Sequence, residues 1–110
     1  MEKPVAGSVV AVLFPFSDLS ESKLRPALVI ATAEYNNLIL CQITSKKYSS
    51  KNAIKLVASD FETGNLPFNS YIRPDKIFTA DLTIVKKHIA TINTAKQKQV
   101  KSKLKEIFIL

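Results

Sequence analysis

Upstream of residue 93 the apolar residues come in short runs, rich in β-branched side chains and separated by turn-forming residues. Only the last segment repeats at helical spacing. Runs of that length and make-up form strands, and a single late amphipathic helix has only a sheet to pack against. The pattern therefore predicts a mainly β domain with one α element: a small, strongly curved sheet or barrel closed by a C-terminal helix. The 110 residues are enough for one domain with a real core and too few for two.

The expected elements follow from local composition. Gly7 introduces a first strand over 8–14, apolar on both faces. A polar loop follows over 15–24, carrying Ser17, Asp18, Ser20, Glu21 and Ser22. Loops of that length in so small a domain are often functional. A second strand is predicted over 26–33, and Asn36-Asn37 forms the turn into a third over 38–44. On that third strand Ile39, Cys41 and Ile43 share one face; Leu38, Leu40, Gln42 and Thr44 share the other. A second loop over 45–52 carries Lys46, Lys47, Tyr48 and Lys51. A short strand is expected over 53–58, an irregular stretch over 60–67, and strand pieces over 70–73 and 76–79 broken at Pro74. Asp81 can cap a short helix through about residue 87, with a last strand over 89–92. Thr94-Ala95-Lys96-Gln97 fits a capping box, and Val100, Leu104, Ile107 and Phe108 make an apolar stripe on the final helix.

Charge narrows the partners. The formal net charge is +7, which predicts attraction to polyanions. Seven lysines against Glu106 alone fall between Lys86 and Leu110, and those of the last helix read as a mostly solvated face. Fourteen of the sixteen basic residues are lysine; the two arginines, Arg25 and Arg73, each stand directly before a proline. A guanidinium is a planar fork that can hold two phosphate oxygens, and a following proline restrains the backbone that aims it. Two aimed arginines on a basic chain point to phosphate chemistry.

Other classes are disfavoured. One cysteine rules out an internal disulfide and fits a reducing, cytoplasmic setting; Cys41, in an apolar run, reads as a small buried hydrophobe. A lone His88 with no Cys/His cluster excludes a structural zinc site, and no cofactor is implied. His88, between Lys87 and Ile89, reads as a surface residue. No stretch reaches the roughly 20 apolar residues of a membrane span, and the apolar run over 5–14 reads as a buried strand.

If strands two and three form a hairpin, Arg25 and Thr44 meet at one edge, flanked by Lys23 and Lys46, where a phosphodiester fits. Gly7-Ser8-Val9-Val10, Leu13-Phe14-Pro15-Phe16-Ser17-Asp18, Lys23-Leu24-Arg25-Pro26-Ala27-Leu28-Val29-Ile30 and Ile43-Thr44-Ser45-Lys46 follow in order a pattern that resembles the MazF/PemK toxins. Ser70-Tyr71-Ile72-Arg73-Pro74-Asp75-Lys76-Ile77 matches as well. Ser8 and Ala90 stand where an acidic residue and a glycine are frequent in that family. The resemblance implies an SH3-like barrel, a homodimer, and the toxin half of a type II toxin–antitoxin pair, neutralised by an antitoxin with an acidic segment. It implies metal-independent cleavage of single-stranded RNA at short sequences. It matches Arg25 and Thr44 to the family's catalytic arginine and threonine, and Arg73 and Asp75 to an arginine–aspartate pair with catalytic roles. Ser17, Asp18, Lys23, Ser45, Lys46, Lys47 and Tyr48 are the candidate RNA-binding residues, with Phe16 as a further stacking candidate. The alternative is a non-catalytic nucleic-acid-binding barrel, which explains the charge but does not require the four catalytic candidates to converge.

Overall fold

The computed structural model describes residues 3–15, 22–46 and 50–109. Ser17, Asp18, Lys47 and Tyr48, together with Phe16, lie outside the described residues. Among the described residues, seven strands form one sheet: β1 (Ser8–Pro15), β2 (Ser22–Thr32), β3 (Asn37–Thr44), β4 (Ile54–Leu56), β5 (Phe61–Gly64), β6 (Ser70–Asp81) and β7 (Val85–Ile92). Helix α1 (Thr94–Phe108) follows. The strand order is β4-β6-β3-β2-β1-β7-β5 with every neighbour antiparallel. Register shifts interrupt four of the six ladders, and each extra residue adds bend and twist. The β1–β7 ladder is shifted twice, and the sheet curls into a half-barrel.

Two apolar clusters occupy the two faces. On the first, Val9, Leu28, Cys41, Ile43, Ile54, Ile72, Ala90 and Ile92 pack beneath Val100 of α1, with Leu104 alongside. On the second, Val10, Val12, Ala27, Val29, Leu38, Leu40, Ala80 and Val85 pack together, rimmed by Phe14, Phe78, Leu82 and Ile84. Phe14 and Phe78 meet tilted, with ring centroids 5.0 Å apart. The expected faces of the third strand are those observed, Cys41 and Ile43 on one and Leu38 and Leu40 on the other.

Several expected boundaries move. The helix starts at Thr94 with Asn93 as its cap: Lys96 N–H donates to Asn93 Oδ1 at 2.8 Å, and Gln97 Nε2 donates instead to the Ile92 carbonyl at 3.1 Å. The Thr94 capping box does not form, because the Gln97 N–H it would use already donates to the Asn93 carbonyl at 3.0 Å. After Asp81 there is one 3-10 turn, Leu82–Ile84, in place of a short helix; Asp81 does cap it, accepting from Thr83 N–H at 2.9 Å, which holds its carboxyl below its ordinary pKa. Val85 then enters β7, where its side chain is buried on the second face. The stretch expected to be irregular holds β5, which pairs with β7. Gly64 sits opposite Ala90 with φ +71°, and a side chain there would run into the Ile89 carbonyl and Ala90. The glycine needed for this close approach is thus on β5, which leaves room for alanine on β7. The β2–β3 turn centres on Tyr35 and Asn36, both at positive φ (58° and 63°), one residue before its expected place, and Asn37 opens β3.

Two lysines of α1 are not solvated. Lys96 Nζ donates to the Lys55 carbonyl at 3.0 Å and lies 3.6 Å from Asp60 Oδ2; Lys103 Nζ donates to the Lys51 carbonyl at 3.1 Å. They tie the helix to the edge of the sheet, while Lys98, Lys101 and Lys105 remain exposed. Among the described residues, no helix is long and apolar enough to cross a membrane.

Candidate active site

The second face changes character along its strands. At one end it is apolar: Leu38 and Leu40 of β3 lie beside Val29 of β2 and Ala80 of β6. At the other, alternation brings Arg25 of β2, Gln42 and Thr44 of β3, and Arg73 of β6 to the same face. Gln42 is the hub, opposite Ala27 on one side and Arg73 on the other. Sequence reasoning noted Gln42 only as the polar end of a face. The usable signal was an amide inside an otherwise apolar run, for its Oε1 is buried with no hydrogen-bond partner among the described residues.

The break expected at Pro74 is a bulge within one continuous strand. The ladder jumps from Gln42 opposite Arg73 to Cys41 opposite Ile77, so Pro74, Asp75 and Lys76 leave the register together. Proline has no N–H to offer the ladder, and the chain bows out where that donor is missing. The bulge keeps Asp75 with Arg73: Nη2 and Oδ2 are 3.5 Å apart, a long contact that is more charge pairing than tight hydrogen bond. Both side chains are largely shielded, at 16% and 26% exposure. The Asp75 carboxylate also reaches the neighbouring strand. The Cys41 thiol is pushed up to about 12, first by burial and then by that negative charge, and it stays a neutral core residue.

Thr44 and Arg25 also border a groove of about 240 Å³ at the open end of the β2–β3 pair, whose other walls include Ile43, Leu66 and Ile89 of the first face together with Leu24, Ser45 and Phe68. The Lys46 backbone N–H donates to Thr44 Oγ1 at 3.2 Å. That bond uses the oxygen as acceptor, so the hydroxyl keeps its own O–H as a donor. Lys23, Ser45 and Lys46 are exposed nearby in sequence. Asp75 lines a second cavity, about 480 Å³, with Gln42, Phe14 and Phe78. The structure thus brings Arg25 to Thr44 and Arg73 to Asp75, with Gln42 in the strand between the two arginines. His88 stands apart: it is exposed on β7, lines neither cavity, and its Nε2 lies 3.3 Å from Thr91 Oγ1.

An anion meeting this end of the sheet finds two forked cations and a hydroxyl donor, with a carboxylate beside them. Such a set suits a phosphodiester whose own hydroxyl must be deprotonated. No curated protein sequence matches the chain significantly. Among solved structures, MazF from Deinococcus radiodurans superposes with a TM-score of 0.73 at 22% identity, covering 97% of each chain. A MazE–MazF complex from the same organism gives 0.73 at 21% identity, covering 97% of this chain and 96% of that one. A mycobacterial endoribonuclease gives 0.72 at 16% identity over 96% and 91%. At these identities the likeness establishes the fold. The family profile of the PemK-like, MazF-like toxins of type II toxin–antitoxin systems matches residues 6–108, nearly the whole chain. With the curled half-barrel, its closing helix and the polar end of the sheet in agreement, the chain belongs to the PemK-like, MazF-like toxin family.

Proposed function

We propose that this family member is a metal-independent endoribonuclease that cuts single-stranded RNA by attack of the ribose 2′-hydroxyl on the adjacent phosphorus. The observation that carries the reading is the gathering of Arg25, Thr44 and Arg73 on one face of the sheet, with Asp75 held against Arg73. Asp75 accepts the 2′-hydroxyl proton as the new P–O bond forms. Arg25 stabilises the charge that builds on the phosphorane, and Thr44 donates to a non-bridging oxygen. The P–O5′ bond then breaks, with Arg73 beside the departing oxygen. The products are a 2′,3′-cyclic phosphate and, once the oxygen is protonated, a 5′-hydroxyl. An arginine in the phosphorane role contributes about 3–4 kcal/mol, by comparison with an oxyanion-hole donor. One histidine and one cysteine offer no conventional acid–base pair, which supports a carboxylate in the base role.

In this proposal the active form is a homodimer in the cytoplasm, with RNA in a groove between subunits. A cognate antitoxin fills that groove with an acidic segment, drawn by the +7 charge. One solved structure similar to this chain, at 16% identity, is an endoribonuclease in complex with its cognate antitoxin from mycobacteria.

Incubation with a long single-stranded RNA in EDTA, followed by mapping of fragment ends, tests the reading. Discrete cuts bearing cyclic phosphate are expected. Deoxyribose at the cut position should abolish cleavage and spare binding; continued cutting of that substrate sinks the mechanism. Tight RNA binding with no cleavage at all points to the non-catalytic barrel instead.

A further inference from the structure

Phe68 is the feature of the groove that folding leaves unexplained. Its ring is 70% exposed, so it gains little from the core, yet its position is well defined. The hydroxyl of Ser70, itself only 4% exposed, donates to the Phe68 carbonyl at 2.9 Å. Pro67 restricts the backbone just before it, and the Leu66 N–H is turned onto Asn65 Oδ1 at 2.8 Å. Leu24, 57% exposed, lines the same groove, and Arg25, Thr44 and Ser45 are the polar residues beside it on the β2–β3 pair. Two exposed apolar side chains therefore line a groove that Arg25 and Thr44 border, between the basic positions Lys23 and Lys46.

We infer that Phe68 is a stacking platform for a nucleobase of single-stranded RNA adjoining the phosphate held by Arg25 and Thr44, an inference that rests on the RNA-directed reading of the site. The groove's volume of about 240 Å³ lies below the roughly 300 Å³ at which sites for whole drug-sized ligands begin, which suits one flat ring. A base needs an apolar face to stack on and its phosphate needs a fork and a donor; the groove supplies the first, and Arg25 and Thr44 at its border supply the second. A protein segment would meet the same apolar wall, but the basic surroundings favour a polyanion.

The test uses the full chain and an RNA oligonucleotide made uncleavable by deoxyribose substitution. Phe68→Ala and Phe68→Leu are expected to weaken binding on the order of tenfold or more, and Phe68→Trp to restore it, with the unfolding midpoint unchanged in all three. Leucine keeps the apolar bulk without the π-face, so its failure separates stacking from simple packing. An abasic site walked along the oligonucleotide should reach one position where the wild type loses the same factor and Phe68→Ala loses nothing further. Equal affinity of Phe68→Ala and wild type overturns the inference, as does a loss that persists at every abasic position. Loss of affinity for a protein partner with RNA affinity intact assigns the ring to a protein interface and overturns it too. The nuclease reading fails separately: Phe68-dependent binding by a chain that cuts no unmodified RNA refutes cleavage and leaves the platform standing.

Discussion

The two ends of the sheet's second face are built from the same strands and differ in what they do for the fold. At the apolar end, Leu38, Leu40, Val29 and Ala80 are fully or nearly fully buried. At the polar end, Arg25, Gln42, Thr44 and Arg73 lie further along the same face of those strands and are only half-buried. Removing apolar surface from water stabilises the first end, while the second carries two cations and an unsatisfied amide oxygen that stabilise little. The difference teaches how the site is held. Strands are stiff, so packing at one end fixes where side chains at the other point.

Breaking the apolar end should give the largest effect. Leu40→Ala is expected to reduce stability by about 2–5 kcal/mol, read from denaturant midpoints at constant m-value. Residual cleavage per folded molecule, measured well below the midpoint, should change much less. A stability loss under about 1 kcal/mol would show that the second cluster does not hold the site.

Arg25→Lys breaks the polar end while keeping its charge. If the guanidinium fork clamps the phosphorane, cleavage should fall on the order of a hundredfold or more, with a much smaller change in RNA affinity. Stability should be nearly unchanged, the reverse of Leu40→Ala. Near-normal turnover would reduce Arg25 to a general positive charge and leave Arg73 and Asp75 as the reacting groups.

Cys41, on the opposite face of β3, makes the fold sensitive to pH. Its thiol is raised from 9.0 to about 12 in the folded chain, so above pH 9 the unfolded state sheds a proton that the folded state keeps. Stability from this group is complete below pH 9 and drains away as pH climbs towards 12. Cys41→Ala should therefore flatten the decline of the melting temperature across that window, and below pH 9 the thiol should resist alkylation until the chain unfolds. Identical alkaline slopes in the two proteins would contradict the burial of the thiol.

The smallest effect concerns Gln42. Gln42→Met removes the unsatisfied buried oxygen at similar volume and is expected to be neutral or stabilising by about 1 kcal/mol. If the amide helps seat RNA between the two arginines, cleavage falls while stability does not. A clear loss of stability would mean that the amide oxygen is satisfied in solution.

Much of this was legible in the residues themselves. Apolar runs placed β1, β2, β3 and α1 within a few positions, because local side-chain alternation and periodicity depend only on neighbours in the chain. Strand alternation also sorted Leu38, Leu40, Gln42 and Thr44 onto one face before any partner was known. The two prolines marked Arg25 and Arg73 as constrained, and the resemblance to a toxin family supplied their expected roles. Tertiary structure decided what depends on distant partners. β5 pairs only because Gly64 can approach Ala90, and the stretch after Asp81 becomes strand because Val85 finds a place in the second cluster. Lys96 and Lys103 became ties because Lys55 and Lys51 carbonyls lie within reach. Gln42 acquired its central position, and Phe68 its place at the groove, only through the β3–β6 ladder and the loop that leads into it. Sequence determines what each segment can be, since torsions and periodicity are local; contacts between segments far apart in the chain select which possibility lowers the free energy of the whole.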